Sequence, residues 1–77
     1  MIEVSDVKAV SDYTLSLTFN TGEHRLFDMQ PYLKYPVFQR LENTAFFSLA
    51  RVMYGTVTWP GDIDIAPETL YAQSLPQ

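Results

Sequence analysis

Three carboxylates lie close together in the stretch Val57–Tyr71, which has the sequence VTWPGDIDIAPETLY: Asp62, Asp64 and Glu68. Several carboxylate oxygens could bind a hard cation, and a pair of carboxylates could act as general acid and general base. The spacing D-x-D-x-x-x-E differs from that of an EF-hand, whose loop has about a dozen residues with a glycine at its middle. The chemistry of this stretch therefore depends on whether the fold brings the three side chains together.

Each of these carboxylates also has a local structural use, which is the favoured interpretation. Asp62 follows a Pro-Gly turn, and Glu68 lies beside the positive end of a helix that Pro67 would begin. Asp64 lies either on the polar face of a strand or where its oxygens accept backbone N–H groups at the helix start. The sequence therefore predicts no metal ion, no cofactor and no catalytic residue in this stretch.

The remaining candidates for catalysis are few. His24 is the single histidine, and there is no cysteine. No nucleophile paired with a base, as in a Ser-His-Asp triad, is apparent, so His24 is expected to pack across a β-hairpin. Asp28 precedes Pro31 and is expected to cap the turn there. Because a chain of 77 residues has little room for a pocket of about 300 Å³, we expect a protein that is not an enzyme.

Aromatic side chains are the other candidates for function. The chain has five Tyr, five Phe and one Trp, and each can bury about 150–250 Å². Either these side chains fill the core and offset the large surface of a small chain, or they exceed what one small core can bury and the excess forms an exposed aromatic surface. Trp59 is interpreted as a core residue, with a half-exposed binding anchor as the alternative. If Trp59 is exposed, Tyr54 or Tyr71 nearby would join it in a binding site, and Tyr32, Tyr35 and Phe38 are the other candidates for an exposed aromatic patch.

The formal net charge is −4 and is unevenly distributed. All five basic residues fall within residues 1–51, whereas residues 52–77 carry three carboxylates and no Lys or Arg. Nucleic-acid binding relies on clustered cations, and these five are scattered, so we expect no direct contact with nucleic acid. No apolar run approaches the length of about 18 residues that a membrane helix needs. The N-terminus lacks the pattern of a signal peptide, so we expect no membrane association and a cytoplasmic location.

Alternating apolar and polar residues predict a strand over Tyr13–Asn20, with a weaker, bulged strand before it over Glu3–Val10. Gly22 is expected to turn the chain into a third strand. Two registers stay open for this hairpin. A two-residue loop places Phe27 on the opposite face from Leu17, whereas a bulge shifts the phase of the third strand.

Short helices are predicted for the middle of the chain. Pro31 and Pro36 bracket at most one helical turn. Residues 37–52 are expected to form two short helices, because Asn43 or Thr44 favours a cap over a helix interior. The middle of the chain therefore separates two groups of strands.

The last third of the chain predicts two strands and a helix. Arg51–Trp59 alternates as a strand with a bend or bulge at Gly55, and Ile63–Ile65 is a short strand with its acids outward. A helix from Pro67 would turn four residues inward, namely Leu70, Tyr71, Ser74 and Leu75. Three strands, short helices, two strands and a helix indicate an α+β fold with a mainly antiparallel sheet, in a single domain of residues 1–77.

About residues 4–72 resemble a small bacterial family known as domain of unknown function number 2442. The matching pieces are Val10, the Y-x-L-x-L-x-F pattern of Tyr13–Phe19, Gly22, Phe27–Asp28, Pro31, Val37–Leu41, Phe47 and Trp59–Tyr71. The last piece, WPGDIDIAPETLY, is the most specific. The resemblance implies a meandering sheet that wraps around the C-terminal helix, and it brings no established catalytic residues.

The resemblance also bears on function. In some relatives a similar domain precedes a helix-turn-helix DNA-binding domain, and others are encoded beside another small domain in a toxin–antitoxin-like arrangement. We therefore expect a protein-interaction module that forms a homodimer or binds a protein partner, for which the acidic chain favours a basic one, with an antitoxin-like or regulatory role. The alternative is a small-ligand sensor domain. The candidate interaction or signature residues are Trp59, Asp62, Asp64, Pro67, Glu68, Tyr71, Tyr32 and Tyr35.

Overall fold

The computed structural model describes the whole chain, Met1–Gln77, as two antiparallel sheets that share one hydrophobic core. The strands are β1 (Val4–Val10), β2 (Thr14–Phe19), β3 (His24–Asp28), β4 (Arg51–Met53), β5 (Thr56–Trp59), β6 (Ile63–Ile65) and β7 (Leu75–Pro76). The helical elements are two 3₁₀ helices, Gln30–Tyr32 and Pro36–Glu42, and two α-helices, α1 (Thr44–Phe47) and α2 (Pro67–Gln73). The predicted α+β class with antiparallel pairing is confirmed, and the structure adds two strands to the five predicted.

The first sheet has the strand order β1-β2-β3-β7. On β2 the predicted alternation is confirmed, because Leu15, Leu17 and Phe19 are buried while the residues between them are half-exposed. The predicted bulge in β1 is confirmed by a register shift between Val4 and Asp6. One face of this sheet therefore covers the core and the other faces solvent.

The β2–β3 hairpin takes the shifted register. Leu15 pairs with Phe27 and Leu17 pairs with Arg25, so Phe27 lies on the same buried face as Leu15. The loop is longer than two residues. Phe19 N donates a hydrogen bond to Glu23 O at 2.9 Å, and Gly22 takes a φ of 89° that a glycine adopts without strain.

The second sheet has the order β4-β5-β6. The single strand predicted over Arg51–Trp59 is wrong, because Tyr54 and Gly55 form a two-residue turn that splits the segment into a hairpin. Their φ angles of 55° and 74° are both positive, as a type I′ hairpin turn requires. Gly55 O also accepts a hydrogen bond from Val4 N at 2.8 Å, which ties the second sheet to the first.

The helices confirm most of the predicted start signals. Asn43 caps α1, since its Oδ1 accepts a hydrogen bond from Phe46 N at 3.1 Å. Pro67 begins α2 with Glu68 in the first turn. The inward position predicted for Leu75 is wrong: α2 ends at Gln73, and Leu75 is 72% exposed in β7. The backbone at Ser74 is extended, so the chain leaves the helix one residue before Leu75.

The core contains residues from both sheets and from the helices between them. Trp59 and Phe19 are its largest fully buried side chains, and Leu70 of α2 is buried among them. This arrangement agrees with strands that wrap around the C-terminal helix. None of the helices is long and apolar enough to cross a membrane.

Candidate functional site

The outer side of the second sheet carries a row of three polar side chains. Arg51 pairs with Thr58, and Thr58 pairs with Asp64, so the three lie side by side across β4, β5 and β6. Their neighbours along the strands, Val57 and Ile65, are buried on the opposite side. The pleat of the sheet therefore fixes Arg51, Thr58 and Asp64 on one solvent-facing surface.

This surface is concave. An open depression of about 230 Å³ lies over the sheet. We call the surface the β4–β6 face and define it by the side chains that line the depression and project from it: Arg51, Met53, Tyr54, Thr58, Asp62 and Asp64. A hydrogen-bonded hairpin and a third strand hold these residues, so the surface is rigid compared with a loop.

Tyr54 is the most exposed aromatic side chain, with 93% of its surface accessible. Its φ of 55° is unfavourable for a residue with a β-carbon. Tyr13 has a similar φ of 60°, but its hydroxyl donates to Glu42 O and its ring packs edge-on against Phe47 at 5.5 Å. Tyr54 has no such contacts, so its conformation is not offset by packing within the chain.

The three carboxylates of the signature stretch do not converge. Asp62, Asp64 and Glu68 form no group of three side chains that could hold a metal ion. Asp64 is exposed on β6, as the strand-face interpretation predicts. The alternative, in which Asp64 accepts N–H groups at the start of α2, is wrong because Ala66 occupies the cap position without a side-chain hydrogen bond. Asp64 is therefore free to interact outside the chain.

Trp59 belongs to the core. It is 1% exposed, its indole Nε1 donates a hydrogen bond to Phe47 O at 2.9 Å, and the two rings lie 6.0 Å apart. The interpretation of Trp59 as a core residue is confirmed, and the alternative of an exposed anchor is wrong. The exposed aromatic residue of this region is Tyr54, which belongs to the same hairpin.

Tyr71 takes part in a network that the sequence did not predict. Its hydroxyl donates to Glu23 Oε1 at 2.7 Å, and the Arg25 guanidinium lies 4.7 Å from its ring centre. Arg25 also donates to Glu23 Oε2 at 3.2 Å and, through Nε, to Ser74 Oγ at 2.7 Å. This network joins the β2–β3 hairpin to the end of α2, so Tyr71 serves the fold.

The same contacts shift two acidities. The hydrogen bonds from Tyr71 and Thr21, together with the nearby charge of Arg25, lower the pKa of Glu23 below its ordinary 4.5. The hydrogen bond to Glu23 raises the pKa of Tyr71 above its ordinary 10.0. Glu23 is therefore held ionised and Tyr71 protonated. Glu23 and Arg25 lie two residues apart at the start of β3, but Ser74, the partner of Arg25, lies 49 residues further on.

The other predicted aromatic residues form only a small exposed patch. Tyr32 is half-buried and stacks on Phe27 at 5.3 Å. Tyr35 is 48% exposed, with the Lys34 ammonium 5.7 Å from its ring centre. This patch lies on the 3₁₀ segment rather than on a sheet, and Phe38 is half-buried.

His24 and Asp28 have the local contacts predicted for them. His24 Nδ1 lies 3.1 Å from Thr18 Oγ1 across the hairpin. Asp28 Oδ1 accepts a hydrogen bond from Gln30 N at 2.9 Å and so caps the turn before Pro31. The structural interpretation of both residues is confirmed.

The basic side chains have different environments. Arg25 is engaged in the network with Glu23 and Ser74. Arg40 stacks on Phe46, with its guanidinium carbon 4.4 Å from the ring centre, and lies against Gly61, where an added β-carbon would be 2.6 Å from Arg40 Nη1. Because Gly61 also lines the depression beside Arg51, two arginines adjoin one end of the β4–β6 face.

Comparisons with known proteins give a family and a structural relative. A family model described as "Protein of unknown function (DUF2442)" matches residues 4–76, which confirms the resemblance drawn from the sequence. The fold is similar to the crystal structure of "Putative DNA Binding Protein" NE0471 from Nitrosomonas europaea ATCC 19718, with a TM-score of 0.84 and 25% sequence identity. The alignment covers 95% of this chain and 48% of that one. No curated protein matches the chain.

This structural similarity contradicts one prediction. The scattered basic residues predict no direct contact with nucleic acid, yet the fold occurs in a protein named for DNA binding. The prediction failed because it used the charge of this chain alone. The chain spans about half the length of the Nitrosomonas europaea protein, so the charge of this chain does not describe that whole protein.

Proposed function

The chain belongs to the DUF2442 family, and from that premise we propose that it is a protein-interaction module that serves a DNA-binding system and docks its partner on the β4–β6 face. The observation that carries this proposal is the exposed ring of Tyr54. A tyrosine held in a left-handed turn without internal contacts adds strain to the fold. A binding function accounts for that strain because the turn presents the ring to a partner.

The composition of the β4–β6 face supports the same proposal. Tyr, Met and Arg are enriched at protein interfaces, and Arg51, Met53 and Tyr54 follow one another closely on a single hairpin. The face also carries Asp62 and Asp64, neither of which forms an ion pair within the chain, since the one ion pair joins Arg25 and Glu23. Charges left unpaired on a rigid surface favour recognition of a complementary protein.

The structural relative supports the link to DNA. The fold recurs within a protein named for DNA binding, which fits a domain that regulates or assembles such a protein. A small-ligand sensor is less well supported, because both depressions of the surface, of about 230 Å³ on the β4–β6 face and about 290 Å³ beside β3 and β7, are open to solvent rather than enclosed, whereas ligand pockets bury most of the ligand surface. A non-enzymatic role, a cytoplasmic location and an antitoxin-like role stay predictions.

The proposal is tested by co-expressing the chain with the protein encoded next to it and measuring complex formation by size-exclusion chromatography with light scattering. We expect a stoichiometric complex that Tyr54→Ala weakens at least tenfold. Tyr35→Ala is the matched control, because Tyr35 is also exposed but lies outside the β4–β6 face. If no complex forms with that protein or with a second copy, or if both variants bind alike, the proposal is wrong.

Direct contact with DNA is a second candidate function, favoured by the name of the structural relative. Arg40 and Arg51 lie at the same end of the β4–β6 face and could each meet a phosphate. Two such contacts give a slope of about −2 in log K against log salt concentration. Fluorescence anisotropy with duplex DNA tests this candidate: Arg51→Gln reduces the slope by about 1, whereas Lys8→Gln on the first sheet leaves it unchanged. DNA binding with equal loss in both variants contradicts it.

A further inference from the structure

We propose that the partner seated on the β4–β6 face is the same face of a second copy of this chain, related by a two-fold axis that runs along β5. This inference rests on the proposed interaction function and names its partner. It follows from the order of charges across the second sheet, which makes the face complementary to itself.

The charge order is fixed by the strand pairing. Arg51 on β4, Thr58 on β5 and Asp64 on β6 occupy one row, so the row runs positive, neutral, negative. Neighbouring strands lie about 4.8 Å apart, which places the two charges about 10 Å apart with Thr58 between them. Neither charge has an ion-pair partner within the chain, since the one ion pair is Arg25–Glu23.

A two-fold axis along β5, in the plane of the interface, exchanges the positions of β4 and β6. It therefore places Arg51 of each copy opposite Asp64 of the other, and Thr58 opposite Thr58. An in-plane axis perpendicular to the strands would place like charges against each other, which is unfavourable. A symmetric dimer uses the same patch on both copies, and only the first axis makes this patch match itself.

The ends of the face fit the same symmetry. Asp62 lies beyond Trp59 at the end of the sheet near Arg51, so it adds negative charge close to Arg51 of the other copy. Tyr54 lies at the opposite end, in the β4–β5 turn. An axis along β5 keeps both Tyr54 rings at that one end, on either side of the axis, where each can cover the other copy's sheet. The exposed aromatic ring and both unpaired acids thus gain contacts in one arrangement.

The dimer is expected to be weak. Three strands of three or four residues and one turn offer much less than the roughly 800 Å² per partner of a standard interface. Electrostatic pairs of this kind also weaken as salt screens them. Self-association is therefore expected at high protein concentration and low salt, with the charge pairs deciding its specificity.

Charge exchange tests the proposal by sedimentation velocity between 10 μM and 1 mM protein, concentrations on the order of those at which weak dimers form. The wild-type chain self-associates, and Arg51→Asp and Asp64→Arg each weaken self-association at least tenfold. The double variant Arg51→Asp/Asp64→Arg restores it. An equimolar mixture of the two single variants forms a heterodimer, because one copy then carries two acids and the other two arginines at the facing positions. Lys8→Asp, on the first sheet, changes nothing.

The outcomes separate this inference from the proposed function. A wild-type chain that stays monomeric at every concentration overturns the dimer, as does self-association that survives in both single variants or that the double variant does not restore. Circular dichroism and thermal melting confirm that each variant is folded, which is expected since both positions are exposed. If the chain is monomeric while Tyr54→Ala still weakens its complex with the neighbouring protein, the interaction function stands and the dimer is wrong.

Discussion

Two tyrosines of this chain, Tyr71 and Tyr54, have opposite environments. Tyr71 donates to Glu23 at 2.7 Å, packs edge-on against Phe19 at 5.1 Å and lies under the Arg25 guanidinium. Tyr54 is 93% exposed in a strained turn. Tyr71 is therefore engaged by contacts within the chain, whereas the ring of Tyr54 is accessible to a partner.

The charged side chains divide in the same way. Glu23 and Arg25 neutralise each other beside α2, while Arg51 and Asp64 lie on one face of the second sheet with no ion pair between them. The comparison shows why the signature stretch is a poor guide to function by itself. Trp59 and Tyr71, its two aromatic residues, stabilise the fold, and the proposed binding surface includes residues of β4 that precede the stretch.

Substitutions at two adjacent residues of β5 are expected to differ most in their effect on the free energy of unfolding. Trp59→Ala removes the largest buried side chain and its hydrogen bond to Phe47 O, so it lowers the free energy of unfolding by about 3–5 kcal/mol. Thr58→Ala, one residue away on the β4–β6 face, changes it by less than about 0.5 kcal/mol. Urea denaturation followed by circular dichroism measures both. Equal effects would show that the two sides of β5 are not core and surface.

Substitutions of Arg25 and Arg51 are expected to give the next largest difference in the free energy of unfolding. Arg25→Leu removes the side-chain donor to Ser74 O and the cation that pairs with Glu23, so it lowers the free energy of unfolding by about 1–3 kcal/mol. Arg51→Leu changes stability by less than about 0.5 kcal/mol but weakens binding through the β4–β6 face. Urea denaturation and sedimentation velocity on the same samples separate the two. A destabilising Arg51→Leu would mean that Arg51 serves the fold.

The pH dependence of stability tests the network directly. Because the pKa of Glu23 is lowered in the folded chain, its ionised form contributes stability that is complete above pH 4.5 and is lost as the pH falls through the lowered pKa. Tyr71→Phe removes the main cause of the shift, so the loss of stability between pH 5 and pH 3, roughly the range in which carboxylates titrate, becomes smaller.

Tyr35→Phe is the control for this measurement, since Tyr35 has no carboxylate partner. Its urea midpoints at neutral and acid pH should follow those of the wild-type chain. At basic pH the dependence of stability on pH has the opposite sign. The pKa of Tyr71 is raised, so the stability that Tyr71 contributes is complete below pH 10 and is lost as the pH rises through the raised pKa. If Tyr71→Phe lost as much stability as the wild type between pH 5 and pH 3, the hydrogen bond from Tyr71 would not be the main cause of the lowered pKa of Glu23.

Local patterns predicted the elements whose signals lie within a few residues. The alternation of Leu15, Leu17 and Phe19 gave β2, Asn43 gave the cap of α1, and Pro67 gave the start of α2. The β4–β5 hairpin was missed because its first turn residue is Tyr54, where Asn or Asp is usual. Strand β7 was missed because it has two residues, one of them Pro76.

The candidate site could be predicted only in part. Asp62 and Asp64 were candidate site residues in the sequence, but Arg51 and Tyr54 join them only through the β4–β5 hairpin, which was not predicted. The network of Glu23, Arg25 and Ser74 depends on a contact across 49 residues, for which one sequence carries no signal. Contacts set by long-range pairing therefore needed the structure.

Tyr54→Asn tests the central claim, that Tyr54 is kept for binding at a cost to the fold, in a single variant. Asn tolerates the left-handed conformation and favours a type I′ turn before Gly55, so the free energy of unfolding rises by about 0.5–1 kcal/mol. The same substitution weakens association through the β4–β6 face at least tenfold, whereas Tyr35→Asn leaves association unchanged. A Tyr54→Asn variant that is less stable than the wild type, or that associates equally well, would contradict the account.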